Sequence, residues 1–276
     1  MSDATFERPE QIASALRSPY LLAVFAELAS AGGYVDAVWP QLASSVETAG
    51  FLGSALYMAD MSAAGVEEVY EPVLSRASLL AAGALTEHEA DALIELLDVF
   101  HWVQPQALLL VAALAEALDQ PRVGGEGRPD PRERSEREQS HLAASVSFVP
   151  AETAPLPQVA EVLQIEPAPE LYRAVGGWPG YLDVAWAELQ HMATYPDFRR
   201  RGRALYFYAR SSARFLAEPL EANPEALAER GVSEADVAAA RETIDRALPV
   251  LATMMMHCSA MRFALGVTTR EVVAQD

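Results

Sequence analysis

Two pairs of residues in this 276-residue chain have metal-ligand spacing: Glu138-Gln-Ser-His141 and Glu188-Leu-Gln-His191. On a helix, side chains three apart share a face. Glu-x-x-His pairs hold di-iron centres in helical bundles, with two further inward carboxylates. One pair lies in a charged stretch, and that further set is not apparent, so no metal is expected. His257 and Cys258 follow Met254, Met255 and Met256 in an apolar run. No acid at helical spacing orients His257, so it reads as a core histidine rather than a catalyst. Cys258 reads as a buried, unreactive thiol. Val123-Gly124-Gly125-Glu126-Gly127 has no leading strand and no following Lys-Ser/Thr, so it is not a phosphate loop.

The elements that would position such groups come in two copies. Gly33-Tyr-Val-Asp-Ala-Val-Trp39 returns as Gly180-Tyr-Leu-Asp-Val-Ala-Trp186, an offset of 186 − 39 = 147. Gln11, Ala13 and Leu16 meet Gln158, Ala160 and Leu163 at the same offset. Glu87, Glu95 and Asp98 meet Glu234, Glu242 and Asp245. A period this long is no solenoid unit. It predicts a duplicated half, with residues 9–118 matching 156–265, packed about a pseudo-twofold axis. A site between the halves would then use non-equivalent residues at equivalent places. The expected organisation is a first helical repeat over 1–118, a linker over 119–155 and a second repeat over 156–276. Trp39 and Trp186 are expected as packing anchors where the halves meet.

Apolar residues recur at helical spacing nearly throughout, which predicts an all-α fold. Helices are expected over 11–16, 20–29, 35–49 and 51–64, with Gly32-Gly33 as a break. Thr86 and Glu89 form a capping-box start, repeated by Ser233 and Asp236. That helix is expected to end near Trp102, and Pro105 to open a new apolar helix to about Leu118. The stretch from Gln120 to Arg132 is rich in Pro, Gly and charge and reads as a linker or mobile loop. The run 126–138 is expected to be weakly ordered.

Net charge is −19 and the pI about 4.6, which argues against nucleic acid and anionic membranes as partners. All 20 basic residues are arginine. Codon bias and solubility in high salt both account for that. One cysteine rules out an intrachain disulfide and is compatible with a cytoplasmic location. The longest apolar run, Gln106 to Leu118, falls short of the ~18 residues of a membrane span.

Taken in order, several short motifs resemble the group I 2-haloacid dehalogenases (DehI type). They are Ser18-Pro19-Tyr20, Gly33-Tyr34 to Trp39, Phe100-His-Trp-Val-Gln-Pro105, Leu108 to Glu116, Val123-Gly124-Gly125, Pro167-Ala-Pro-Glu170 and Trp178-Pro179. The resemblance covers most of the chain. It implies an all-α pseudo-dimer and a cofactor-free hydrolysis of 2-halo acids to 2-hydroxy acids. In that family an aspartate activates a water that displaces the halide directly. The resemblance puts this residue at Glu170, a water-positioning asparagine at Gln104 and a pocket tryptophan at Tyr20. All three are related replacements. Glu is one methylene longer than Asp, and a shift of about 1 Å can cost about a hundredfold in rate.

Attack by water on saturated carbon needs a base about 2.6–3.2 Å away. Glu170 supplies one if ionised, and the Gln104 amide can fix the direction of the water. Helix starts at Pro105 and Pro169 would offer N–H donors to a substrate carboxylate. Tyr20, Trp102 and Trp178 would face the halide, with His101 as a further pocket residue. The leading reading is thus a hydrolytic dehalogenase of small 2-haloalkanoic acids, with a small carboxylic acid as its partner and no cofactor. A homodimer is left open. The alternative is a non-catalytic relative of the fold that binds a small acid or serves as a structural domain.

Overall fold

A computed structural model describes residues 4–131 and 136–268, the side chains of 4–7, 137, 138 and 142 apart. The helices in chain order are α1 (Ala4–Ala15), α2 (Ala23–Ser30), α3 (Tyr34–Val46), α4 (Ala49–Val69), α5 (Arg76–Ala81), α6 (Glu87–Asp119), α7 (Glu136–Ala143) and α8 (Leu156–Leu163). They continue with α9 (Glu170–Val175), α10 (Pro179–Met192), α11 (Pro196–Ser212), α12 (Pro224–Glu229) and α13 (Glu234–Ala264). Among the described residues the only sheet pairs β1 (Val123–Gly124) antiparallel with β2 (Pro219–Leu220). The fold is all-α, as the apolar periodicity predicts.

Helix starts keep the sequence offset. Glu87 and Glu234 open α6 and α13, Ala49 and Pro196 open α4 and α11, and Ala23 and Glu170 open α2 and α9. Each pair is 147 apart. The long helices start where their caps dictate. Thr86 Oγ1 accepts from the Glu89 N–H, while Glu89 accepts from the Thr86 N–H at 2.8 Å. The Asp236 N–H bonds Ser233 Oγ in the same way. Such caps satisfy N–H groups that a helix start leaves unpaired.

α6 departs from the expected pattern. It runs 33 residues straight through Pro105 instead of stopping near Trp102. Proline removes the bond to the carbonyl four residues back and costs about 3 kcal/mol in a helix interior. Burial offsets that cost, because residues 103–115 are all buried. By length and composition α6 could cross a membrane, but 89% of its most apolar window is buried inside the protein, as in a core helix.

The chain forms two compact units, each drawn from three stretches. The first holds 1–58, 105–144 and 206–251, and the second 59–104, 145–205 and 252–276. Their boundaries also keep the offset, since 205 − 58 = 147 and 251 − 104 = 147.

In the first unit Leu16, Tyr34, Val46, Leu108 and Leu110 are wholly buried. The Gln106 amide donates to the Leu16 carbonyl at 3.2 Å. Part of the expected mobile loop is pinned here. The Gly125 and Gly127 N–H groups bond the Leu216 carbonyl, and the Ala49 N–H bonds the Asp130 carbonyl at 3.0 Å. A Cβ at Gly127 would lie 2.0 Å from the Phe215 carbonyl oxygen, so only glycine permits this approach. Charge and proline leave little side chain to bury over 123–131, but the backbone bonds supply what composition does not show. Residues 132–135 lie outside the described ones.

The second unit buries Leu93, Leu97, Leu171, Tyr172 and Tyr181. Arg262 grips Asp98 through two nitrogens at 2.9 and 2.7 Å. Glu188 accepts from the Tyr70 hydroxyl and the Val73 N–H, each at 2.8 Å, and from the Leu74 N–H at 3.0 Å. The carboxylate of that Glu-x-x-His pair is therefore engaged in closing the α4–α5 loop. Glu188→Ala is expected to cost about 2 kcal/mol in urea unfolding, by leaving the buried Tyr70 hydroxyl without its charged acceptor. A metal-ligand role would instead leave the stability of the metal-free protein unchanged.

Candidate active site

The second unit contains five of the six residues expected to do chemistry: Glu170, Gln104, His101, Trp102 and Trp178. Tyr20 belongs to the first unit, just beyond α1. There Ser18 Oγ bonds both the carbonyl and the N–H of Tyr20, at 2.5 and 3.3 Å, and fixes the turn.

Glu170 is the first residue of α9, which lasts six residues behind Pro169. The preceding proline disfavours helix at its own predecessor and presets the entry. Glu170 is half-buried, while Leu171, Tyr172, Ala174 and Val175 are buried. The helix thus lies on its apolar side and keeps its first carboxylate at the edge. Trp178, three residues past its end, is half-buried. Its N–H bonds the Val175 carbonyl at 2.9 Å and it leads into α10.

Gln104 and His101 are three residues apart on α6, on one face. Gln104 is only 4% exposed, and its Oε1 accepts no hydrogen bond from the described residues. A buried polar atom left unpaired costs about 1–3 kcal/mol, a cost the Tyr34 hydroxyl and Trp186 Nε1 share. Pro105, expected as a helix start, lies inside α6. It therefore offers no N-terminal donors to a substrate carboxylate.

His101 lines a small cleft with Asp60, Glu67, Ser259 and Arg262, of about 10 Å³. That is close to the room one water needs. Burial raises the Asp60 carboxyl above its usual range. Among the described residues no cluster of three His, Cys, Asp or Glu side chains could hold a metal.

The structure adds a group the sequence pattern did not single out. The Tyr172 hydroxyl and His257 Nδ1 lie 2.5 Å apart, and both side chains are wholly buried. Trp186 and His257 both stand edge-on to the Tyr172 ring, at 5.5 and 5.8 Å between centroids. His257 Nε2 meets no partner among the described residues. The sequence reading of a core histidine holds, and its partner is a phenol from α9 rather than an acid on its own helix. Cys258 donates to the Leu97 carbonyl at 3.3 Å, and burial pushes its thiol up to about 12. It is no nucleophile.

No protein-family model matches this chain, and no curated protein matches it. Solved structures do. A D-2-haloacid dehalogenase mutant in complex with D-2-CPA matches with a TM-score of 0.83 and 17% identity, over 96% of this chain and 92% of that one. A D-2-haloacid dehalogenase with L-LA gives 0.83 and 16%, over 95% and 93%. A further mutant of that enzyme gives 0.82 and 17%, over 95% and 92%. The chain has the all-α fold of these dehalogenases, as the resemblance implied.

Burial lowers the pKa of His257 from 6.5 to about 4. A base whose folded pKa is depressed is neutral in the fold and takes its proton first when unfolded. Stability is then complete above about pH 6.5, falls as pH drops towards 4, and levels off below that. The shift is worth about 3 kcal/mol. Urea unfolding of the wild type should show this loss. The double variant Tyr172→Phe/His257→Leu should show a loss smaller by that amount. Equal slopes in the two proteins would mean that His257 is not held neutral.

Proposed function

We propose that the chain is a cofactor-free hydrolase of small 2-haloalkanoic acids. A water activated by Glu170 displaces halide from C2 and leaves the 2-hydroxy acid. Glu170 takes a proton from the water as the carbon–oxygen bond forms, and the carbon–halogen pair leaves as halide. The Gln104 amide holds the water through its oxygen, which has no partner among the described residues. The likeness of the fold to D-2-haloacid dehalogenase, at a TM-score of 0.83 over 96% of this chain, is the observation that carries the reading; the buried Gln104 Oε1, without a partner among the described residues, is compatible with it. Trp102 and Trp178 are assigned to the halide and alkyl part of the substrate. His101 stands in reserve as the base should Glu170 prove idle.

The duplication belongs to the same proposal. Helix starts and unit boundaries repeat at 147 residues. The active residues do not. At that offset Glu170 faces Ala23, Gln104 faces Leu251, His101 faces Leu248 and Trp178 faces Ala31. We read one copy as having kept polar groups where the other was filled with apolar ones. The repeats then correspond to 1–118 and 156–276, joined by 119–155.

Halide release from D- and L-2-chloro and 2-bromo acids tests the function. The wild type should release halide, and Glu170→Gln should lose at least about a hundredfold in rate, as expected for removal of a general base. Glu170→Asp should match or exceed the wild type. Full activity in Glu170→Gln would move the base to His101. No release by the wild type or Glu170→Asp would make the chain a non-catalytic relative of the fold, binding a small acid or serving as a structural domain.

A further inference from the structure

We infer that Tyr172 and His257 are positioning residues for Glu170, their buried hydrogen bond fixing how α9 presents its carboxylate. The inference rests on reading Glu170 as the base. A six-residue helix cannot hold itself, since most helical stability in so short a segment comes from tertiary packing. α9 has no side-chain cap at its start. What fixes it is its buried side, and there Tyr172 reaches His257 on α13 at 2.5 Å. Tyr172 is two residues after Glu170, so it leaves the helix about 200° further round. A bond on that side sets the helix rotation, and the rotation aims the carboxylate opposite. Phe198 also stands edge-on to the imidazole, 5.4 Å between rings and 73° between planes.

The pair is a poor choice for stability alone. His257 Nε2 is buried without a partner among the described residues. Two apolar residues of similar shape would fill the space without that defect. The chain contains that solution. In the first copy the equivalents of Tyr172 and His257 are Phe25 and Leu110, both buried. The equivalent of Glu170 there is Ala23. The hydrogen-bonded pair and the carboxylate occur together in the second copy, and neither occurs in the first.

Tyr172→Phe/His257→Leu installs the first copy's residues in the second and tests the inference. The double variant should unfold at or above the wild-type temperature, because both polar partners are removed together. Amide hydrogen exchange over 171–176 should become about tenfold faster or more, since the helix loses its clamp. In halide release kcat should fall about tenfold to a hundredfold, the scale of a misplaced catalytic group, with KM nearly constant. His257→Asn, which keeps a hydrogen-bonding atom near Nδ1, should recover most of kcat. Wild-type exchange over α9 in the double variant would overturn the inference whatever the activity. So would a melting temperature that falls in step with kcat, which would make the pair merely structural. If the wild type releases no halide, the reading of Glu170 as the base fails by itself. Faster exchange would then still show that the pair clamps α9.

Discussion

The structure depends on a helix buried nearly all round that continues through a proline. Residues 103–115 of α6 make almost no contact with water. A buried helix must satisfy its backbone internally, and Pro105 takes one bond out of that ladder. Only extensive apolar contact can offset the loss, and from Ala107 to Ala115 the helix is leucine, valine and alanine on every face. Polar side chains become costly exceptions in such surroundings. Gln106 spends its amide on the Leu16 carbonyl. The Gln104 Oε1 has no donor among the described residues.

At an offset of 147 residues, several polar side chains of the second half of the sequence stand against apolar ones of the first. Phe25 and Leu110 stand opposite Tyr172 and His257, and Ala23 stands opposite Glu170. A fold that keeps its geometry at the offset 147, from helix starts to unit boundaries, tolerates this divergence side chain by side chain. On the short α9, Tyr172 reaches His257 of α13 two residues after Glu170.

Much of the fold was legible in the sequence because its signals are local. Thr86 with Glu89, and Ser233 with Asp236, announced where the two long helices start, through a spacing that satisfies helix N–H groups. Apolar periodicity gave the helical class. What was not legible depended on partners far along the chain. Pro105 read as a helix start because its local rule is strong, and only tertiary burial overrules it. The glycine-rich stretch after β1 read as loose because its anchors, the Leu216 and Asp130 carbonyls, are backbone groups without a side-chain signature. Glu188 looked like half of a metal pair, while its acceptors' partners lie 114 to 118 residues away. Of the candidate site, Glu170 and Gln104 were named by resemblance. Tyr172 could have been found by asking where the second copy is polar and the first is not.

The most direct test of the central claim is a single turnover of a 2-halo acid in ¹⁸O-labelled water, with enzyme in excess. Direct attack by a water held at Glu170 places the label in the 2-hydroxy acid and leaves every carboxylate of the protein unlabelled. Label recovered in Glu170, with unlabelled product from the first turnover, would show an ester intermediate and contradict the role assigned to that carboxylate.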